Sequence, residues 1–302
     1  ENSYVSGSNF NYNDFTFGIY LRTGTPLNNT PAAATGWGTS ASSITTDNTN
    51  IYVAGSINDY SSGGTDGGHT YVQKYTQAGI RLWSAKLMGF DSTSNQAKAR
   101  KIVYDRATGS VYVLGIATYA GSATFAMQLS RIDKNGNVMW TRGENLSNTR
   151  NEQMNDIVVS NGKIYITGYA YLNSSNDFMG LTEAWDVNGN KQWEYIYNKV
   201  GIIDECQNVV VDNAGHIFVG GRTNAPIFSS SNDVLLFKLN SAGNLLWQRT
   251  YNDAGNGDDV CVGMALSNAY SNNPRIYISA NVQTATGQYY DVGTRNIAIC
   301  RL

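Results

Sequence analysis

A repeat of about 55 residues runs through this chain and constrains its fold more than any other feature. In the clearest copy, the runs 208–212 and 215–221 are followed by the runs 232–239 and 242–247. Three earlier copies keep the same order, and in all four a tryptophan in one register opens the fourth strand: Trp83, Trp140, Trp193 and Trp247. A copy of this length cannot bury its own apolar face, so the copies are expected to pack against one another.

Each copy holds four apolar runs of the length of a β-strand. Asp-x-x-Gly, Asn-Gly or Ala-Gly turns separate the first run from the second and the third from the fourth. Asn-Gly between two alternating runs predicts a hairpin, because both turn residues need positive φ. No window carries a helical period. Four short antiparallel strands at this period predict an all-β chain whose fold is a β-propeller of four-stranded antiparallel sheets.

A glycine in the second run marks the units of the propeller. It falls at Gly7, Gly55, Gly115, Gly168 and Gly221, with Ala280 in the sixth place. We therefore predict a single β-propeller domain over 1–302 with six units, at about 1–36, 37–90, 91–146, 147–200, 201–257 and 258–302.

The first unit lacks a first strand and the last unit lacks a fourth. Both units contain a second and a third strand, so joining them into one blade would give two strands too many. Three arrangements therefore stay open. The favoured one is six blades of which the first and last are incomplete. The second is five blades with an N-terminal hairpin, residues 1–21, as an extension. In the third, a neighbouring subunit supplies a missing strand, which is a known route to polymers.

The repeat resembles a known family, the bacterial β-propeller repeat usually abbreviated SBBP. The shared pattern runs Asp-x-x-Gly-Asn-Ile-Tyr-Val-x-Gly, then Asp-x-Phe or Asp-x-Val, an aliphatic-Lys-Leu segment, and Gly-Asn-x-x-Trp. The match is closest in 204–251, good in 152–197 and 97–140, and looser in 39–88. The resemblance implies a propeller on a secreted or surface-exposed bacterial protein, and it implies no reaction.

Composition limits the partners of the chain. Its formal net charge is -2 and 15% of its residues are charged, so no basic face for nucleic acid or anionic lipid is predicted. The apolar runs are too short to span a bilayer. No basic and apolar leader precedes Glu1, so we expect a processed protein, extracellular or on the cell surface. The expected partners are other copies of the chain, through strand exchange, or surface glycans and proteins.

Few residues suit catalysis or metal binding. Histidine occurs only as His69 and His216, and no Gly-x-Ser-x-Gly is found. The loops that begin at Asp133 and Asp186 resemble the opening of a calcium loop, but they lack its remaining ligands, so we interpret them as hairpin turns. The sequence therefore predicts no catalytic residue, no metal site and no cofactor.

Acidic residues recur just before three of the first strands, at Glu152, Asp204 and Asp259. First strands line the central channel of a propeller, so these carboxylates are candidates for an acidic group at the channel mouth. Paired carboxylates would serve a glycosidase or a lyase, or would bind a cation. The favoured alternative is that they accept hydrogen bonds from backbone amides at blade junctions.

Tryptophan and cysteine also recur in register. We interpret the four tryptophans as structural residues that fill the wedge between neighbouring sheets. Cys206 and Cys261 occupy one position in successive first strands, and a disulfide would form if their Cα atoms lie within about 7 Å. Buried free thiols are the favoured alternative, because Met154 and Ala99 stand at this position elsewhere.

Tyrosines crowd the variable loops and their margins. The candidate binding residues are Tyr60, Tyr119, Tyr169, Tyr171, Tyr289 and Tyr290. Three functions are compatible with these features. The favoured one is a non-enzymatic extracellular structural or adhesive module that self-assembles through its incomplete terminal blades. The second is a lectin-like carbohydrate-binding propeller, and the third is a glycosidase or lyase that uses the channel-mouth carboxylates.

Overall fold

The computed structural model describes residues 3–9, 16–20, 26–29, 37–58, 69–87, 97–118, 125–144, 150–172, 177–199, 203–224, 231–252, 258–267 and 275–282. Over these ranges the secondary structure is entirely strands and turns, with no helix. The fold class is a β-propeller, as the repeat predicts. The chain folds into two compact units, Glu1–Asn148 and Thr149–Leu302. Their boundary falls close to a predicted repeat boundary.

The first unit contains two complete four-stranded blades and three further strands. The N-terminal strands are β1 (Ser3–Asn9), β2 (Thr16–Tyr20) and β3 (Pro26–Asn29). One blade consists of β4 (Trp37–Thr46), β5 (Asn50–Asn58), β6 (His69–Thr76) and β7 (Arg81–Leu87). The next consists of β8 (Ala97–Asp105), β9 (Ser110–Thr118), β10 (Phe125–Ile132) and β11 (Val138–Glu144).

The second unit repeats the same antiparallel meander. One blade consists of β12 (Arg150–Ser160), β13 (Lys163–Leu172), β14 (Asp177–Asp186) and β15 (Lys191–Tyr197). The next consists of β16 (Asp204–Val211), β17 (Ile217–Asn224), β18 (Asn232–Leu239) and β19 (Leu245–Tyr251). A pair, β20 (Val260–Ser267) and β21 (Arg275–Asn281), begins the last repeat.

The N-terminal strands do not form a sheet of their own. They join the blade β4–β7 in one seven-stranded sheet of order β3-β2-β1-β4-β5-β6-β7. The favoured arrangement, with residues 1–36 as a separate blade, therefore differs from the observed pairing. The physical reason is that the first strand of a blade has an open edge, and β1 adds to that edge. The number of blades stays a prediction.

Turn chemistry explains why the strands reverse where the repeat predicts. Between β12 and β13, Asn161 and Gly162 have φ of 51° and 72°, as a type I′ hairpin requires. Before β11, Asp133 Oδ1 accepts hydrogen bonds from the N–H groups of Asn135 (2.9 Å) and Asn137 (2.8 Å). The Asp186 turn repeats this geometry. These loops are hairpin turns, and their carboxylates cap their own backbone.

A β-bulge in the first strand of each repeat from β4 onward explains the glycine in the second strand. The register of β16 with β17 shifts between Cys206 and Asn208, and Cys206 lies opposite Gly221. A Cβ on Gly221 would overlap the carbonyl oxygen of Glu205. The other first strands shift at the equivalent place, from Ala41, Ala99, Met154 and Cys261. In three repeats the glycine, at Gly115, Gly168 and Gly221, thus accommodates the close approach of a bulged backbone, whereas the last repeat has Ala280 opposite its bulge.

Candidate functional site

The predicted acidic group lies at the beginning of the first strands, and all three of its members are buried. Asp204 Oδ2 accepts a hydrogen bond from the backbone N–H of Lys199 (2.6 Å), and its Oδ1 accepts one from the Thr223 hydroxyl (2.6 Å). Asp259 is buried, and its N–H donates to the carbonyl oxygen of Asn232 (2.7 Å). Glu152 is buried on β12 opposite Ala170. Asp204 therefore joins the start of β16 to Lys199, which follows β15, and to Thr223 on β17.

Two neighbouring acids are also engaged within the second unit. Glu205 is buried and receives both sides of the Arg222 guanidinium, Nε at 3.0 Å and Nη2 at 2.7 Å. Burial alone would lower the pKa of Arg222, but the Glu205 carboxylate raises it above its usual value. Asp258 Oδ1 accepts hydrogen bonds from the N–H (2.9 Å) and the side-chain amide (2.8 Å) of Asn232. Glu205 thus joins β16 to β17, and Asp258 joins the residues just before β20 to the start of β18.

Tyr169 and Tyr171 project from one face of β13. Both rings pack on Phe178 of β14, with centroid distances of 5.6 Å and 4.7 Å. The two tyrosines are half-buried. The other four predicted tyrosines, Tyr60, Tyr119, Tyr289 and Tyr290, lie outside the described residues.

Within each compact unit, the recurrent tryptophan connects a fourth strand to the turn of the following blade. Trp83 Nε1 donates to the carbonyl oxygen of Lys134 (3.1 Å), and Trp193 Nε1 donates to that of Ser241 (3.2 Å). A Cβ on Gly243 would lie 2.7 Å from Cδ2 of Trp193, so the indole rests directly on the turn glycine. The equivalent pair is Trp83 on Gly136.

Each tryptophan also packs on an aromatic ring in the second strand of its own blade. The pairs are Tyr52–Trp83, Tyr112–Trp140, Tyr165–Trp193 and Phe218–Trp247, with ring centroids 6.0–6.3 Å apart. In three of these blades a third-strand cation covers the second-strand ring: Lys74, Arg131 and Lys238. The tryptophans are half-buried, and these contacts within the protein account for their recurrence.

Cys206 and Cys261 are buried free thiols, and no disulfide joins them. The Cys206 Sγ lies against Gly180 of β14, and the Cys261 Sγ lies against Gly220 of β17. Each thiol therefore faces the preceding blade, and the sheet β16–β19 stands between the two sulfur atoms. Stacked sheets lie about 10 Å apart, which is too far for a disulfide. Burial raises the pKa of Cys206 to about 12 and that of Cys261 to about 11, which disfavours the reactive thiolates.

Sequence reasoning missed a second set of contacts between successive blades, located at the bulges. Ser43 Oγ accepts a hydrogen bond from the N–H of Ile102 (3.2 Å), and Asp156 Oδ2 accepts one from the N–H of Val209 (3.1 Å). In each pair the acceptor is the residue at which regular pairing resumes after the bulge of one first strand, and the donor belongs to the first strand of the next blade. Ser43 and Asp156 differ in residue type, so no sequence motif identifies them. Each stands the same number of residues before the second-strand glycine of its blade, and that spacing was the available signal.

The structure has no group of three or more His, Cys, Asp or Glu side chains arranged to hold a metal ion among the residues it describes. A search of the same residues finds no helix with the length and apolar character needed to cross a membrane.

Comparisons with known proteins give matches only at the level of structure. No family model matches the chain, and no curated protein matches it. Among solved structures, a puromycin hydrolase S511A mutant complexed with PGG aligns with a TM-score of 0.54 and 9% identity, over 92% of this chain and 42% of that one.

Two further solved structures align at lower TM-scores. Prolyl oligopeptidase B from Galerina marginata has a TM-score of 0.48 and 10% identity, over 99% of this chain and 40% of that one. The endo-arabinase from Bacteroides thetaiotaomicron has a TM-score of 0.44 and 10% identity, over 87% of this chain and 93% of that one. The chain spans less than half the length of the two hydrolases with the higher scores. The comparisons therefore agree with the β-propeller fold class and assign the chain to no family.

Proposed function

We propose that this chain is a non-catalytic structural or adhesive module of an extracellular or surface protein. The observation that carries the proposal is the use of the first-strand acids. Asp204 accepts hydrogen bonds from Lys199 and Thr223, and Glu205 is bound on both oxygens by Arg222. A general acid or nucleophile must face its substrate, whereas these carboxylates face the protein's own donors.

The recurrent residues support the same proposal. Trp83, Trp193 and the bulge acceptors Ser43 and Asp156 each contact the following blade within the same compact unit. The turn glycines Gly136 and Gly243 receive the indoles of Trp83 and Trp193. A repeat in which every recurrent side chain serves blade packing is typical of a scaffold, on which any specific function is carried by residues outside the repeat.

The test combines a hydrolysis assay with a stability measurement. The wild-type chain and its Asp204→Asn variant are incubated with arabinan, galactan and nitrophenyl glycosides, and each protein is unfolded in urea. We expect no turnover above buffer from either protein and a loss of about 1–3 kcal/mol for Asp204→Asn, because one charge-assisted acceptor is replaced. Glu194→Gln on β15, a partly exposed acid, is the matched control. Wild-type turnover that Asp204→Asn abolishes without a change in stability would overturn the proposal.

Carbohydrate binding is the second candidate, and Tyr169 and Tyr171 are the observation that favours it. Their rings share one face of β13, pack on Phe178 and are only half-buried, and aromatic rings of this kind can stack on a sugar ring. A glycan array compares the wild-type chain with Tyr171→Ala and with Tyr104→Ala, a partly buried tyrosine of the first unit, as control. A glycan hit that only Tyr171→Ala loses would support this candidate, and an array without hits would remove it.

A further inference from the structure

The first strand of the first complete blade differs from the first strands of the later blades in charge. β4, from Trp37 to Thr46, contains no charged residue and is rich in serine and threonine. By contrast, β8 carries Lys98, Arg100 and Lys101, and the other complete blades begin with charged strands, RNEQMND in β12 and DEC in β16. Charged side chains on an edge strand oppose the addition of another strand. Among these four first strands, β4 is the one suited to accept a partner strand.

The strand that β4 does accept is held by a short ladder. β1 pairs with β4 through Ser8 opposite Ser40 and Asn9 opposite Thr39. Within the N-terminal group, β1 pairs with β2 over five positions, from Ser3 opposite Tyr20 to Gly7 opposite Thr16. By paired ladder positions, β1 is therefore joined more extensively to β2 than to β4.

The bulge in β4 explains why this ladder is short. The register of β4 with β5 shifts between Trp37 and Thr39 and again between Ala41 and Ser43, so the two positions that pair with β1 lie between two irregularities. A bulge bends the strand and interrupts pairing on both of its edges. Beyond the bulge, the Ser43 hydroxyl accepts the N–H of Ile102, so β4 is already engaged with β8 there. Only the first part of β4 is available to an added strand.

From these contacts we propose that the N-terminal strands β1–β3 are exchanged between copies of this chain, with β1 of one copy adding to β4 of another. Separating β1 from β4 breaks the pairing at two positions, and the exchange restores the same pairing in the second copy. Exchange therefore costs little beyond bringing two copies together, and it increases with protein concentration. This inference deepens the proposed structural role and rests on it.

A disulfide between two copies tests the exchange directly. Ser8→Cys and Ser40→Cys variants are prepared separately, with different tags and with Cys300→Ser in both, then mixed and oxidised. Non-reducing gels and mass spectrometry measure the mixed dimer. The matched control replaces Ser40→Cys by Lys98→Cys, an exposed position on the charged first strand β8. We expect the Ser8–Ser40 dimer to exceed the control dimer about tenfold and to increase with concentration.

The neighbouring pair, Asn9→Cys with Thr39→Cys, is tested in parallel. Hydrogen-bonded and non-hydrogen-bonded positions alternate along an antiparallel ladder, so one of the two pairs has the closer Cα atoms that a disulfide favours. A single chain that carries both cysteines of a pair measures closure within one copy. Crosslinking confined to that single-chain variant, with mixed dimers at the control level, would overturn the exchange. Absence of crosslinking in both pairs and both formats would overturn it too. Neither outcome bears on the hydrolysis assay, so the proposed function is tested separately.

Discussion

The joint between the blades β12–β15 and β16–β19 and the joint between β1 and β4 are built differently. In the first, Trp193 rests on the Gly243 turn, Asp156 accepts the N–H of Val209, and an apolar core fills the space between the sheets. In the second, two pairs of residues meet along one edge. The comparison teaches that the recurrent residues hold the blades together, whereas the non-recurrent N-terminal strands are attached at little more than their ends.

Trp193→Ala is expected to have the largest effect on the blade joint. The variant loses the indole contact with Gly243, the hydrogen bond to Ser241 and the packing on Tyr165. We expect the free energy of unfolding to fall by about 3–4 kcal/mol. Urea unfolding followed by circular dichroism measures it, with Gln248→Ala on the exposed face of β19 as control. A loss no larger than that of the control would show that the recurrent tryptophans do not hold the blades.

Gly221→Ala tests the bulge. Its Cβ would overlap the carbonyl oxygen of Glu205, so β16 must shift. We expect a loss of about 2–3 kcal/mol in the free energy of unfolding. Gly162→Ala is the matched control, because its Cβ would meet nothing within 4 Å while its φ is +72°. The control should lose about 1 kcal/mol, the cost of positive φ alone. Equal losses in both variants would contradict the role of the close approach.

The turn carboxylates of Asp47 and Asp133 are expected to make the free energy of unfolding depend on pH, with a smaller effect than the two substitutions above. The side-chain amide of Asn137 lowers the pKa of Asp133, and its turn N–H groups lower it further. For Asp47, burial alone would raise the pKa, but hydrogen bonds from Asn50 and Tyr52 lower it overall. Because the folded pKa lies below the unfolded value of 3.8, this stabilisation is complete above pH 3.8 and is lost as pH falls through the folded pKa.

The urea midpoint should therefore be level from pH 7 to about 5 and should decrease below about 4. Urea titrations at a series of pH values measure it. An Asp47→Asn, Asp133→Asn double variant should be less stable at pH 7 and should show a flatter profile. A wild-type midpoint that rises on acidification would contradict the assigned sign.

Asn9→Pro is expected to have the smallest effect. Proline removes the backbone N–H of Asn9, one of the two positions at which β1 pairs with β4, while the blades keep their own contacts. We expect the free energy of global unfolding to change by no more than about 0.5 kcal/mol. Val219→Pro, in the buried centre of β17, is the contrasting control and should prevent folding or destabilise the protein by about 3 kcal/mol or more. A loss of that size for Asn9→Pro would show that the N-terminal joint is as strong as a blade joint.

The sequence predicted those parts of the fold that local chemistry determines. The strands, the Asn161–Gly162 hairpin and the second-strand glycine follow from periodicity and from turn residues whose conformation few side chains tolerate. Pairing between distant edges leaves no such local signal. The addition of β1 to β4 depends on which edge is open and uncharged, and the repeat alone favoured a separate N-terminal blade instead.

The candidate site was predictable in position but not in its partners. The recurrence of Glu152, Asp204 and Asp259 placed them at the start of the first strands, as observed. Their environment depends on residues outside the repeat, such as Lys199, which donates to Asp204, and Arg222, which binds Glu205. The two thiols are separated because each faces the blade before it, which places the sheet β16–β19 between them.

Hydrogen exchange resolved by mass spectrometry tests the contrast between the two joints most directly. Amides of β1 and β2 are compared with those of β17 and β18 in the same native sample. We predict that the N-terminal strands exchange through local opening, at least about 100-fold faster than the blade strands, which need sub-global or global unfolding. Equal protection of both groups, at the level of global unfolding, would contradict the account.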